Sequence, residues 1–298
     1  MTIRFGIAGI DTSHVVAFTQ RLNHRDIAEE HWVDGGQIVA VIPFPSEHSP
    51  DRVPGFAQKL KDYGLTFYER PQEMIGNVDA VLVEENAGGV HLERAQPFLE
   101  AGLPVFVDKP LACSVAAARR ILDLAQRHNA PLLSTSSLRY DTTVQQVQAQ
   151  REDWGSVRGV DAYTPASQHP LNPGWFNYGV HGVEIVYALL GTGCRTVRCI
   201  RQEGVDFAVG EWADGRLGTV RGLRGGRTGI GFTAFSEKKI ASFESSGAGY
   251  RELLKQIIRM AETRQNPVPP DEMLEVVAFQ EAANTSMERG GEPVSVKP

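Results

Sequence analysis

Residues 102–110 read GLPVFVDKP, in which an acid, a lysine and a proline follow a short apolar run. The run is too short for a helix and is typical of a fully buried parallel strand. Asp108, Lys109 and Pro110 would then lie at the carboxyl edge of a sheet, where open α/β sheets bind their ligands. A lysine between a carboxylate and a proline turn has a restricted position, so Lys109 is a candidate catalytic residue. The alternative is an ordinary lysine at a strand end.

A histidine in the second half of the chain is the other candidate catalytic group. The segment GWFNYGVHGVEIVYALLG, residues 174–191, places Asn177 and His181 four residues apart. On a helix these two side chains would share one face. Because imidazole titrates near neutral pH, His181 is suited to take a proton from a substrate hydroxyl. A structural histidine is the alternative interpretation.

Aromatic and basic residues near this histidine are candidate substrate contacts. Trp175 and Tyr178 follow the proline-rich loop TPASQHPLNPG, and this pattern predicts the rim of a pocket for a polar ligand with an apolar face. The segment SSLRY, residues 136–140, follows a predicted strand. It would present Arg139 and Tyr140 to the substrate.

The first strand-to-helix turn, GIAGIDTSHVVAF, departs from the dinucleotide-binding pattern. That pattern has three glycines, and here only Gly9 occupies its position, with Asp11 and His14 at the other two. A carboxylate about 5 Å from a phosphate charge weakens binding by about 3 kcal/mol at an effective dielectric constant near 20. We expect Asp11 to act as a helix N-cap that points away from the phosphates.

Two glutamates follow another predicted strand, in VLVEENAGGVHLE. Together with Asp11 and Asp108, Glu84 and Glu85 would make the sheet edge acidic. One interpretation is a cation or polyhydroxyl site, and the other is that a glutamate points into solvent or pairs with Arg94. No set of Cys, His and acidic residues has the spacing of metal ligands, so we predict no dedicated metal site.

The arrangement of predicted elements divides the chain into two domains. Strands and helices alternate over residues 1–135, which predicts a doubly wound parallel sheet, a Rossmann domain. Residues 136–298 contain short strands separated by Gly and Asp-Gly turns and then two amphipathic helices, which predicts an α+β domain with an open, mostly antiparallel sheet built as a meander. An uncovered sheet face predicts a homodimer or homotetramer.

Composition excludes several classes of protein. The 298 residues carry a net charge of −6, so no basic field would hold nucleic acid or an anionic membrane. The three cysteines match neither a zinc ribbon nor a redox pair and are expected to be reduced thiols. The chain begins MTIRFGIAG without an apolar leader, and no apolar run reaches the length of a membrane span. We therefore expect a cytoplasmic protein.

The chain resembles the glucose-fructose oxidoreductase, inositol dehydrogenase and MocA family, written Gfo/Idh/MocA. Three segments carry the resemblance: VFVDKPLA, similar to the family's EKP strand end; NYGVH, similar to its D-x-G-x-H segment; and PPDEMLEVVAFQEAANTSMERGGEPVSV, similar to its closing helix and strand. The resemblance implies a nicotinamide cofactor and sugar or cyclitol substrates. By position it makes Lys109 a donor to the reacting hydroxyl and His181 the proton acceptor, with Asn177 in place of an aspartate.

The same resemblance predicts the cofactor contacts, while the choice between NAD and NADP stays open because Pro43 occupies the usual place of the ribose-binding acid. The expected cofactor-binding residues are Gly6, Gly9, Asp11, Thr12, Ser13, His14, Glu85, Asp108, Lys109 and Pro110.

Three hypotheses about function follow. The first is an NAD(P)-dependent dehydrogenase acting on a sugar, sugar acid or polyol. The second is a carbohydrate-binding or lyase-type protein that keeps the fold without the redox step. The third is a purely structural dimer module, in which no small ligand would protect the protein from unfolding.

Overall fold

The computed structural model describes residues 2–298, which form two compact units. The N-terminal unit contains residues 2–112, 116–135 and 250–269, and the C-terminal unit contains residues 113–115, 136–249 and 270–298. The main division follows residue 135. The segment 250–269 differs from the expectation, because it packs with the N-terminal unit. Within the described residues, no helix has both the length and the apolar character needed to span a membrane.

A parallel sheet of six strands forms the centre of the N-terminal unit: β1 (Ile3–Ala8), β2 (Gly36–Ile42), β3 (Thr66–Phe67), β4 (Ala80–Val83), β5 (Val105–Val107) and β6 (Leu132–Leu133). The strand order is β3-β2-β1-β4-β5-β6, and every neighbouring pair is parallel. This is the Rossmann order, so the predicted doubly wound sheet is confirmed. All residues of β4 and β5 are buried, as expected of strands with helices on both faces.

Helices follow the strands of this sheet: α1 (His14–Leu22), α2 (Val53–Asp62), α3 (Pro71–Met74), α4 (His91–Glu100) and α5 (Val115–Arg127). Helix α5 buries Ala118, Ile121, Leu124 and Ala125, which recur at helical spacing. The sheet order places β1 beside β4 and β4 beside β5. The residues that follow these three strands therefore meet at one edge.

The C-terminal unit contains α6 (Thr142–Ala149), α7 (Arg151–Trp154), α8 (Val180–Leu190) and α10 (Pro270–Glu288), while α9 (Gly249–Thr263) belongs to the N-terminal unit from Tyr250 onward. Its seven strands are β7 (Val157–Pro165), β8 (Cys194–Gln202), β9 (Val205–Trp212), β10 (Leu217–Leu223), β11 (Gly231–Ser236), β12 (Ile240–Glu244) and β13 (Val294–Ser295).

The seven strands form a mostly antiparallel sheet in the order β12-β11-β7-β10-β9-β8-β13. The predicted open, mostly antiparallel sheet is confirmed, but its predicted meander is wrong at the centre. Strand β7 lies between β10 and β11 and is parallel to β10. Tight turns join β8 to β9 and β9 to β10, so these strands form local hairpins. After Leu223 a longer segment crosses the end of β7, and β11 pairs with the edge of β7 opposite β10.

Asp141 fixes the start of α6, just after the segment 136–140. Its buried carboxylate accepts hydrogen bonds from the N–H and Oγ1 of Thr143, from Oγ of Ser245, and from the N–H and Oγ of Ser246. Burial opposes ionisation, but these hydrogen bonds outweigh it and lower the pKa of Asp141. One carboxylate therefore joins the start of α6 to the loop that precedes α9.

We expect Asp141→Ala to lower the free energy of unfolding by about 1–3 kcal/mol, because the half-buried donors of Thr143 and Ser245 and the exposed donors of Ser246 lose their shared acceptor. Since the folded-state pKa lies below the unfolded value of about 3.9, the stabilisation by Asp141 is present at neutral pH and is lost as the pH falls below about 4. Urea unfolding at pH 7 and at pH 3 measures both effects. The control Asp153→Ala, at an exposed site in the short helix α7, should change stability by less than about 0.5 kcal/mol. Equal effects of the two substitutions would contradict this account.

Candidate functional site

The turn between β1 and α1 requires glycine at position 9. Gly9 has a φ of +85°, and a Cβ atom there would lie 2.2 Å from Cγ of Glu85. The Gly9 N–H donates to the carbonyl oxygen of Ile42, which closes the turn against β2. Ser13 is the N-cap residue of α1, but its side chain makes no capping hydrogen bond. Although the N–H of His14 makes a long bond of 3.4 Å to Oγ1 of Thr12, the lack of a cap from Ser13 leaves the start of α1 suited to bind an anion.

Asp11 does not cap α1, so that interpretation is wrong. Its carboxylate accepts hydrogen bonds from the N–H of Asn86 at 2.7 Å and from Oγ of Ser46 at 2.6 Å. The side-chain amide of Asn86 also donates to the carbonyl oxygen of Asp11. Asp11 is buried and holds the β1–α1 turn to the loops that follow β2 and β4.

Glu85 pairs with Arg94, as one of the two interpretations expected. The distance from Nε of Arg94 to Oε1 of Glu85 is 3.1 Å, and the guanidinium also lies over the ring of Phe44. Burial raises the pKa of Glu85 to about 7, with the charge of Asp11 adding to the effect and Arg94 opposing it. The Glu85 carboxyl group therefore carries less negative charge than a free glutamate at neutral pH.

Three buried ionisable groups meet at the sheet edge: His14 at the start of α1, Glu84 after β4 and Asp108 after β5. Nδ1 of His14 lies 2.9 Å from Oδ2 of Asp108 and 3.7 Å from Oε2 of Glu84. Burial lowers the pKa of His14, but the two carboxylates outweigh burial and raise it to about 9. Burial and the charge of Asp108 raise the pKa of Glu84 to about 7. Sequence spacing did not indicate this cluster, because its members come from three separate segments.

His91 is a positioning residue that the sequence did not single out. It is fully buried at the start of α4, with Nδ1 2.9 Å from the carbonyl oxygen of Pro110 and Nε2 2.8 Å from that of Glu85. His91 therefore joins the segments that follow β4 and β5. The half-buried Lys109 lies between Asp108, whose Oδ1 accepts from the Lys109 N–H at 2.8 Å, and a cis bond to Pro110.

The remaining predicted cofactor residues lie in or beside the same turn. Gly6 lies within β1, where a Cβ atom would be 2.3 Å from Sδ of Met74, so it is a packing position. Thr12 is buried, and its Oγ1 accepts a long hydrogen bond of 3.4 Å from the N–H of His14.

In the C-terminal unit, His181 is held by Ser136 and not by Asn177. Nδ1 of His181 is 2.7 Å from Oγ of the buried Ser136. Helix α8 begins at Val180, so Asn177 precedes it, and the Asn177 amide donates to the carbonyl oxygen and Oγ of Ser167. The expected pairing of Asn177 and His181 on one helix face is therefore wrong. Ser136 is the first residue of the SSLRY segment, and the position of that segment after a predicted strand was the sequence signal that could have identified Ser136.

Only some of the predicted substrate residues are accessible. Tyr178 is 44% exposed, and its ring lies 5.5 Å from that of His181. Trp175 is buried in the core of the unit, with Nε1 3.2 Å from Sγ of Cys199. Tyr140 is half-buried, and burial raises its pKa. The position of Trp175 makes it a packing residue rather than part of a pocket rim.

Arg139 also differs from the expectation of a substrate contact. It is buried, with Nε 2.7 Å from Oε2 of Glu184 and Nη1 2.5 Å from Oε1 of Glu272. Burial alone would lower the pKa of Arg139, but these two carboxylates outweigh it and raise the pKa. Its charge is therefore balanced inside the unit.

Comparison with known proteins agrees with this geometry. Residues 3–136 match the family model GFO_IDH_MocA, described as an oxidoreductase family with an NAD-binding Rossmann fold. The match covers less than half of the chain and agrees with the resemblance carried by the sequence motifs. The inositol 2-dehydrogenase/D-chiro-inositol 3-dehydrogenase of Halalkalibacterium halodurans is 30% identical over 145 residues. That match covers 47% of this chain and only 37% of the relative.

Solved structures extend the similarity in fold to the C-terminal unit. GenD2 from gentamicin A biosynthesis, in complex with NAD, has a TM-score of 0.81 at 17% identity and covers 100% of this chain and 97% of its own. The scyllo-inositol dehydrogenase of Lactobacillus casei, with NAD(H) and scyllo-inositol, has a TM-score of 0.78 at 13% identity and covers 99% of each chain. The predicted fold is confirmed by these likenesses.

The residues around Gly9 fit such a cofactor. The glycine turn and the start of α1, where Ser13 makes no side-chain cap, provide the geometry and backbone donors of a diphosphate site. The two acids nearest this turn, Asp11 and Glu85, are engaged by hydrogen bonds and by Arg94, so their repulsion of a diphosphate is reduced.

Gly9→Ala should lower the free energy of unfolding by about 2–5 kcal/mol, because the new Cβ requires an unfavourable φ and overlaps Glu85. Gly55→Ala is the matched control, since Gly55 lies in α2 and a Cβ atom there would meet no described atom within 4 Å outside the backbone of its own helix. This control should be neutral or stabilising by up to about 1 kcal/mol. The double variant Gly9→Ala/Glu85→Ala should recover the part of the stability loss that comes from the overlap between the new Cβ atom and Glu85. Chemical denaturation measures all three, and similar losses for Gly9→Ala and Gly55→Ala would refute the required turn.

Proposed function

We propose that this protein is an NAD(P)-dependent dehydrogenase that oxidises a hydroxyl-bearing carbon of a sugar, sugar acid or polyol. The observation that carries the proposal is the β1–α1 turn, in which Gly9 and the uncapped start of α1 lie within the segment matched by the NAD-binding family. When bound, the nicotinamide ring would supply the hydride acceptor. The named relatives that act on inositols support a polyol as the substrate class.

His181 is the proposed proton acceptor. Its Nδ1 faces Oγ of Ser136, so we assign the substrate proton to Nε2. The Oγ of Ser136 also accepts from the N–H of Leu138, which fixes the hydroxyl that orients the ring. Lys109 is the proposed donor to the reacting oxygen. Asn177 is assigned to loop positioning through Ser167 rather than to proton transfer.

Tyr178 is the proposed substrate contact in the C-terminal unit, because it is exposed and its ring lies beside that of His181. Arg139 and Trp175 have no such role in this proposal. The uncovered face of the C-terminal sheet, which carries the exposed Ile200 and Leu217, is the proposed interface of a cytoplasmic homodimer or homotetramer.

A second function, a carbohydrate-binding or lyase-type protein without nucleotide, is favoured by one observation. The side chain of Glu85 packs directly against Gly9, and Asp11 lies two residues further on. Both acids are unusual next to a site for a diphosphate.

Titration with NADH and NADPH, followed by fluorescence and calorimetry, distinguishes the two functions. We expect binding at micromolar strength, with a free energy of about −8 kcal/mol. Mass spectrometry of the purified protein checks first for nucleotide retained from the cell. The absence of binding at millimolar nucleotide would exclude the dehydrogenase and favour the carbohydrate-binding alternative.

Once a substrate is found among inositols and sugars, His181→Ala should lower kcat by about 10²–10⁴-fold, because it removes the proton acceptor. Ser136→Ala should lower kcat by roughly tenfold and change the pH profile, since the imidazole loses its orienting partner. His128→Ala, at an exposed site in the N-terminal unit, is the control and should leave kcat and the pH profile unchanged. A full rate with His181→Ala would rule out the assigned role.

A further inference from the structure

The carboxyl edge of the N-terminal sheet brings three ionisable side chains together. Strands β1, β4 and β5 are neighbours and run parallel, so the residues that follow them lie at the same edge. His14, Glu84 and Asp108 occupy these places. Ligands of open α/β sheets bind at this edge, which gives the cluster a functional position as well as an unusual composition.

Both carboxylate oxygens of Glu84 are buried and have no hydrogen-bond partner within residues 2–298. Nδ1 of His14 and Oδ2 of Asp108 are also buried, and they face each other at 2.9 Å. Buried polar atoms are normally satisfied, and a fully buried carboxylate with both oxygens unsatisfied is costly. Glu84 is 0% exposed. Its carboxyl group therefore points to a ligand that can satisfy both oxygens.

We propose that His14, Asp108 and Glu84 bind one divalent metal ion, with Glu84 coordinating through both oxygens. Metal–nitrogen and metal–oxygen bonds of about 2.0–2.2 Å in a tetrahedral site separate the ligand atoms by about 3.4 Å. The distances from Nδ1 of His14, 2.9 Å to Asp108 and 3.7 Å to Glu84, lie on either side of that value. One ligand atom from each residue falls within 4.8 Å of the others.

The ligand chemistry selects the kind of ion. One imidazole and two carboxylates suit Zn²⁺ or Mn²⁺, whereas the absence of cysteine from the set disfavours Cu⁺. Mg²⁺ usually retains several waters, for which a fully buried cluster has little room. A dication held by all three residues would contact both carboxylates, whereas His14 lies close only to Asp108, at 2.9 Å, and 3.7 Å from Glu84.

The surrounding residues hold the ligands in place. Oδ1 of Asp108 accepts from the N–H of Lys109, which leaves Oδ2 for the ion. The imidazole of His14 stacks on Phe18 with ring centroids 5.2 Å apart and meets the edge of Tyr250 at 5.0 Å. Such outer contacts fix ligand orientation in metal sites. The site is therefore formed before the metal binds.

The test measures bound metal without any nucleotide, so it is independent of the proposed dehydrogenase activity. Protein purified without chelator is analysed by inductively coupled plasma mass spectrometry, before and after dialysis against Zn²⁺ or Mn²⁺. We expect about one equivalent of metal per chain and a rise in Tm of roughly 5 °C or more at saturating metal. Glu84→Gln and His14→Gln should each weaken metal binding by at least about tenfold.

The control is Glu85→Gln, which changes a neighbouring buried acid outside the cluster and should retain the metal. Because wild-type protein alone gives the metal content, a variant that fails to fold does not prevent the test. Less than about 0.1 equivalent in the loaded wild-type protein would overturn the proposal. Equal metal retention by wild type and Glu84→Gln would also overturn it, since the ion would then bind elsewhere.

Discussion

Charge that is removed from water has to be balanced close by, and this requirement shapes the carboxyl edge of the N-terminal sheet. Asp11 is balanced by donors from Ser46 and Asn86, and Glu85 by Arg94. Asp108 faces His14, whose positive charge keeps the pKa of Asp108 low despite burial. Among these four acids, Glu84 alone receives no hydrogen bond from residues 2–298, and this imbalance is what a bound cation would correct.

The same interactions hold the loops of this edge together. Asp11 connects the segments after β1, β2 and β4, and His91 connects those after β4 and β5. A loop that is cross-linked in this way loses little additional conformational entropy when a ligand binds. The acids that look unfavourable for a diphosphate therefore also provide the rigidity of the site. Substituting any one of them would affect loop geometry and local charge together.

The sequence predicted what depends on local pattern. Strand and helix alternation, the buried run that ends at Asp108 and the closing helices follow from periodicity within short windows. The parallel pairing of β7 with β10 could not be predicted, because it joins strands that are distant in the chain and look like hairpin strands locally. Arg139 illustrates the same limit at the site. Its residue type suggests a substrate contact, but its two glutamate partners come from α8 and α10.

The partner of His181 has a chemical consequence. A carboxylate beside an imidazole stabilises the protonated ring and raises its pKa, whereas the hydroxyl of Ser136 orients the ring without adding charge. An aspartate at position 177 would be the family-like alternative, but the side chain there points to Ser167. The proposed proton transfer at Nε2 would therefore rely on Ser136 for the orientation of the ring.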